Sequence, residues 1–110
     1  MIMAELSISG RMMVKTLKAQ FKKEFGLTLR VYKGNKFADD SATLASLSEK
    51  KVEDFKANSN MKVGNFEDNF LKATGLKVQV ASPNDKELCN DASTLSDRKK
   101  LYQEEKYKHL

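Results

Sequence analysis

Apolar residues recur along the chain in two matching stretches. In the first, Val14, Leu17, Phe21 and Phe25 stand three and four positions apart, the spacing of one face of a helix. Leu27, Leu29 and Val31 then alternate with Thr28, Arg30 and Tyr32, the pattern of a strand with one buried face. Gly26 sits where the period changes, and glycine enters the left-handed conformation that ends a helix at least steric cost. Val63, Phe66, Phe70, Gly75, Leu76, Val78 and Val80 repeat the same order in the second stretch.

The two stretches superpose residue by residue. A shift of 49 positions lays Met12, Val14, Phe21, Lys23, Gly26, Leu27 and Val31 on Met61, Val63, Phe70, Lys72, Gly75, Leu76 and Val80. Leu17 meets Phe66, and Leu29 meets Val78. Past the strand the second copy carries two extra residues, after which Phe37-Ala38-Asp39-Asp40 aligns with Leu88-Cys89-Asn90-Asp91 and Thr43-Leu44 with Thr94-Leu95. Matches concentrated on apolar positions and glycines point to a tandem duplication of one helix–strand–turn unit.

Turn residues follow each strand: Lys33-Gly34-Asn35-Lys36 in the first copy and Ser82-Pro83-Asn84-Asp85 in the second. Phe37 and Leu88 open a brief return strand. Asp40 and Asp91, ahead of Leu44 and Leu95, are expected to cap a helical turn through their carboxylates. Leu6 and Ile8 mark a first strand within residues 5–13, and residues 60–63 are its counterpart. Residues 48–60 read as a linker. Ser46 and Glu49 have capping-box spacing there, so that Leu47, Val52 and Phe55 are expected on a short helix before Ala57-Asn58-Ser59-Asn60. Residues 97–110 form a charged helical tail anchored by Leu101, Tyr102 and Tyr107 that docks loosely or frays.

These elements predict an α+β fold. Two duplicated βαβ-type units form a small sheet with helices on one face, in a ferredoxin-like or β-grasp-like arrangement, followed by a C-terminal helix. Residues 1–96 are expected to be one domain of two repeats, about 12–47 and 61–96.

From Val14 to Leu44 the chain resembles the middle of a ubiquitin-like β-grasp. The resemblance rests on Gly26-Leu27, Leu29-Arg30-Val31-Tyr32, Gly34, Lys36, Phe37, Asp39 and Thr43-Leu44, with Gly75-Leu76, Val78, Val80, Leu88, Asp91 and Thr94-Leu95-Ser96-Asp97 in the second copy. It implies helix–strand–turn geometry. The family's diglycine terminus is lacking, so conjugation is not implied. The whole chain also resembles small uncharacterised bacterial proteins with this doubled pattern, a resemblance that lends no function.

Charge changes the picture modestly. The formal net charge is +5 over 110 residues. Residues 1–60 carry 11 Lys and Arg against 7 Asp and Glu, whereas residues 61–110 carry 9 against 8. A dedicated nucleic-acid binder usually carries a denser basic stripe. The one cysteine, Cys89, allows no internal disulfide and suits a reducing cytoplasm. No apolar run has the length of a membrane span, and residues 1–10 lack the charged and apolar regions of a secretory signal.

Candidate chemistry is sparse. Asp39, Asp40 and Asp91 suggest a carboxylate site, but Asn90 replaces Asp39 in the second copy, which favours capping and turns. Cys89 aligns with the small Ala38, and the only histidine is His109 in the tail, so a nucleophilic thiol lacks a base. Met1, Met3, Met12 and Met13 suit either an adaptable contact surface or core filling. There is no phosphate loop and no zinc-ligand spacing. No catalytic, cofactor or metal residue is expected. Arg11, Lys15, Lys18, Lys22, Lys23 and Arg30, with Tyr32, make a basic face that could hold phosphates and a base. The second helix puts Glu67 and Asp68 where the first has Lys18 and Ala19, and this opposition favours pairing with another copy or with a protein partner. A non-catalytic interaction or self-association module of bacterial or phage origin is therefore expected, with RNA or DNA binding by the first helix as the alternative.

Overall fold

In the structure, a computed structural model, residues 5–108 are described, with side chains through residue 103. Nine elements follow one another: β1 (Glu5–Ile8), α1 (Val14–Phe25), β2 (Thr28–Lys33), β3 (Lys36–Phe37), α2 (Leu44–Leu47), β4 (Phe55–Asn58), α3 (Val63–Thr74), β5 (Lys77–Ala81) and α4 (Leu95–Lys108). The chain is thus α+β with a C-terminal helix. The strands, expected in one small sheet, form two antiparallel ones: β1 with β4, and β3-β2-β5. β2 has β3 on one edge and β5 on the other, which leaves it no edge for β4. β2 and β5, which a ferredoxin-like order would set at opposite edges of one sheet, are hydrogen-bonded neighbours.

The helices form where the 3.6-residue period predicted them. Val14, Leu17, Phe21 and Phe25 line the buried stripe of α1; Val63, Phe66, Phe70, Ala73 and Thr74 line that of α3. Gly26 (φ 68°) and Gly75 (φ 75°) end them in left-handed backbone, each N–H bonding the carbonyl four residues back. Phe21 packs 5.2 Å from Phe66 and 5.0 Å from Phe25, joining the two helices at the centre of the core. Burial of each such ring contributes about 2–3 kcal/mol. Leu29 and Val31 of β2, and Val78 and Val80 of β5, close the core from the three-stranded sheet, while Leu6, Ile8 and Ala57 close it from the other.

The sequence matches reappear as matching hydrogen bonds. Lys15 N–H bonds Asp40 O and Gly64 N–H bonds Asp91 O; Ala38 N–H bonds Val31 O and Cys89 N–H bonds Val80 O; Leu44 N–H bonds Met12 O and Leu95 N–H bonds Met61 O. Lys50 Nζ donates to Lys72 O at the end of α3, and Lys99 Nζ donates to Glu24 O at the end of α1. Each helix C-terminus, rich in unpaired carbonyls, therefore receives a cation from the other half.

Several local expectations are corrected. The counterpart of β1 is β4 at Phe55–Asn58, not residues 60–63. It lies inside the stretch read as a linker, and no helix spans Leu47, Val52 and Phe55. Phe55 and Ala57 alternate over only four residues, a signal too short to read without the partner strand. The turn after it is what gave the linker composition: Asn60 N–H bonds Asn58 Oδ1 and Met61 N–H bonds Asn58 O. Ser46 and Glu49 form no capping box; α2 begins at Leu44, with Thr43 Oγ1 accepting Ser46 N–H.

The caps are Thr43 and Thr94, not Asp40 and Asp91. Thr94 Oγ1 accepts Asp97 N–H at 3.0 Å, and Asp97 Oδ2 reaches back to Thr94 N–H at 3.4 Å. Leu95 is fully buried and α4 starts with it; farther along, Tyr102 packs on the core whereas Leu101 is 38% exposed. The Tyr107 side chain, Met1, Met3 and His109 lie outside the described residues. Met12 is half-buried and packs on the core.

Candidate functional site

The three-stranded sheet turns one face to the core and leaves the other open. Along β2 the outward residues are Thr28, Arg30 and Tyr32; across from them on β5 stand Ala81, Gln79 and Lys77. β3 adds Phe37 beside Tyr32 at one end. Leu88, bridged to Ala81, stands at the other end. Phe37 is 69% exposed and Leu88 49%, and the sequence alignment pairs these two residues.

The two ends differ because the turn after β5 is two residues longer than the turn after β2. There the loop from Ser82 to Glu87 folds over the Thr28 end. Ser82 Oγ holds it, accepting Lys86 N–H (3.1 Å) and Glu87 N–H (3.2 Å) and donating to Asn84 Oδ1 (2.7 Å). Pro83 O accepts from Thr28 Oγ1 at 3.2 Å and from Lys22 Nζ. Asp85 takes Arg30 through Nε (2.6 Å, to Oδ1) and Nη2 (3.0 Å, to its carbonyl). This hydrogen bond to Asp85 holds the Arg30 pKa above its ordinary value, against a smaller opposing effect of burial.

After β2 the chain turns back in a tight hairpin at Gly34 (φ 62°), so the Tyr32 end stays open. Tyr32 and Phe37 stack there, with ring centroids 5.1 Å apart and planes 22° from parallel. Tyr32 Oη donates to Gln79 Oε1 at 2.7 Å, which fixes the ring. Lys77 Nζ sits 5.8 Å from the Tyr32 centroid, within reach of its negative face. Lys33 and Lys36 face one another across the hairpin. Beside this end lies a groove of about 610 Å³ lined by Tyr32, Lys33, Lys50, Leu71 and Lys77, with Glu49 as its acid. Glu49 pairs with Lys33 at 3.7 Å.

The basic face read from the sequence is partly engaged within the chain. Lys18 pairs with Asp40 at 3.0 Å, Lys22 binds Pro83 O, and Arg30 binds Asp85. Arg11, Lys15 and Lys23 are exposed. On α3, Glu67 is half-buried and accepts Val80 N–H at 3.0 Å, while Asp68 is exposed. Burial raises the Glu67 pKa above the usual carboxylate value, the Val80 N–H opposes that shift, and the nearby Asp91 and Asp68 add to it.

Asp39 and Asn90 have one shared use, each accepting an N–H two residues on, from Ser41 (2.9 Å) and Ala92 (2.8 Å). That use needs an oxygen at either position but no charge. Cys89 is buried, which raises its thiol pKa, while the Arg98 guanidinium beside it acts in the opposite direction. Arg98 Nη2 donates to Tyr102 Oη (2.6 Å), which donates to Glu87 Oε1 (3.0 Å), so this cluster ties α4 to the loop. Among the described residues no group of three or more His, Cys, Asp or Glu side chains is placed to hold a metal ion. Among them no helix is long and apolar enough to cross a membrane.

Sequence reading placed Tyr32 at the site but missed Phe37 and Lys77. Phe37 reads only as the start of a brief return strand, and its pairing with Tyr32 is what sets it on the outward face. Lys77 precedes the alternating Val78 and Val80 and signals nothing until β5 is set beside β2. Comparison of the chain with protein-family models, curated proteins and solved structures finds no match.

Proposed function

We propose that this protein is a non-catalytic binding module that engages its partner through the open face of the three-stranded sheet, at the Tyr32–Phe37 end. The observation that carries this reading is the Phe37 ring, 69% exposed and stacked on a tyrosine that is itself held by Gln79. A bulky ring held rigid in water loses little entropy on contact, and such rings dominate binding energy at interfaces. The reading includes a duplicated origin, a cytoplasmic setting that suits the lone thiol, and no cofactor.

Self-association is one form of this module. Opposite charge on α1 and α3 supports it less than the sequence implied, because Lys18 and Glu67 are engaged inside the chain. A photo-crosslinking residue at position 37 tests the module in cells, with position 69 on exposed Asn69 of α3 as control. Discrete adducts from position 37 and none from position 69 are expected. A cross-linked dimer would identify a second copy as partner. Absence of any adduct from position 37 would refute the reading.

A further inference from the structure

We infer that the Tyr32–Phe37 platform binds single-stranded nucleic acid, a base stacking on Phe37 while Lys77 beside the rings, and Lys33 and Lys36 at the hairpin end, meet the phosphates on either side. The inference rests on the open sheet face being the contact surface and names its partner. Three independent features converge on it.

The first is the stack itself. Tyr32 and Phe37 already lie nearly parallel, so the exposed side of Phe37 continues a stack in which a planar base is the natural next member. An exposed aliphatic patch would show no such preference for flat partners. The second is charge. Lys77 lies beside the Tyr32 ring; Lys33 and Lys36, the next pair along the hairpin, point from its other face at the same end, and Lys50 lines the adjoining groove. The acid of that groove, Glu49, is 93% exposed on its side chain and offsets one lysine of the four.

The third is the asymmetry of the face. The equivalent end near Leu88 has an aliphatic residue in place of Phe37, and the Ser82–Glu87 loop brings Asp85 onto Arg30. The extra residues therefore neutralise and cover one end and leave an aromatic, basic opening at the other. This surface differs from the α1 face, whose Lys18 and Lys22 are held by Asp40 and Pro83.

Fluorescence anisotropy of a labelled 12-nucleotide oligo-uridine, titrated with the full chain at low salt, tests the inference. The single strand is expected to bind, with affinity falling as salt rises. A duplex of equal length is expected to bind more weakly, since its bases cannot reach Phe37. Phe37→Ala is expected to weaken binding about tenfold, and Lys36→Gln with Lys77→Gln to weaken it and flatten its salt dependence. Phe37 is exposed, so its replacement leaves the fold intact, as a thermal melt will verify.

Lys15→Gln with Lys23→Gln, on α1, should alter affinity less than twofold; a larger loss there than at Lys36 and Lys77 would overturn the assignment. No binding of any oligonucleotide at low salt would also overturn it. Displacement of bound oligonucleotide by an equal charge concentration of polyglutamate would assign an acidic protein instead. Either of the last two results leaves the cross-linking test of the sheet face to stand or fall separately.

Discussion

Arg30 of β2 lies directly across from Gln79 of β5, and the two hold the same place in the two halves of the chain. Ser7 and Lys56 stand in the same relation across β1 and β4. A pseudo-twofold axis through both pairs exchanges the halves. Each sheet therefore takes a strand from either half, and neither half closes a core alone. Residues 1–50 and 51–110, expressed separately, are expected to lack cooperative thermal unfolding by circular dichroism. A cooperative transition in either fragment would contradict this account of the pairing.

What the sequence made legible follows from this symmetry. Phe21, Phe70, Gly26 and Gly75 could be read because helix period and left-handed caps are local properties. The division of strands between two sheets could not, because it depends on which edge of β2 meets β5, a contact between residues far apart in the chain. The same holds at the site. Tyr32 was visible as an outward strand residue, whereas Phe37 becomes a platform only through its stack on Tyr32. Lys18, Arg30 and Glu67 showed their charge but not their partners, all of which lie more than ten positions away.

The caps give a sharp local comparison. Thr43 and Thr94 accept N–H groups from Ser46 and Asp97 through their hydroxyls. Asp40 and Asp91 instead contribute backbone carbonyls, to Lys15 and Gly64. Thr43→Ala and Thr94→Ala are each expected to cost about 1 kcal/mol. Asp40→Asn and Asp91→Asn should change stability by less than about 0.5 kcal/mol. Urea denaturation of the four variants checks the ordering, and a larger loss in the aspartate pair would reverse the cap assignment.

The start of the last helix is part of the core rather than an appendage. Leu95 is fully buried and its N–H bonds Met61 O, so Leu95→Ala is expected to cost about 2–5 kcal/mol. Leu101, two turns later, is 38% exposed. Its replacement by alanine should cost well under half as much. Equal losses at the two positions in chemical denaturation would show that the helix docks along its length.

Glu67 makes stability depend on pH. Burial raises its pKa above the ordinary 4.5, so the folded chain holds the proton more tightly than the unfolded chain does. The stabilisation from protonation is complete below the unfolded value and is lost as pH rises through the higher folded value. The melting temperature is therefore expected to carry a component that falls as pH climbs from about 4.5. Glu67→Gln keeps a carbonyl oxygen for the Val80 N–H and removes the titration, so this component should vanish and stability at neutral pH should equal or exceed the parent's. Glu67→Ala also removes the titration but leaves the Val80 N–H without its acceptor, at a cost of about 1–3 kcal/mol. Melting curves of the three proteins between acid and neutral pH separate the two effects. A Gln variant that tracks the parent's pH profile throughout would rule out a raised Glu67 pKa as its source.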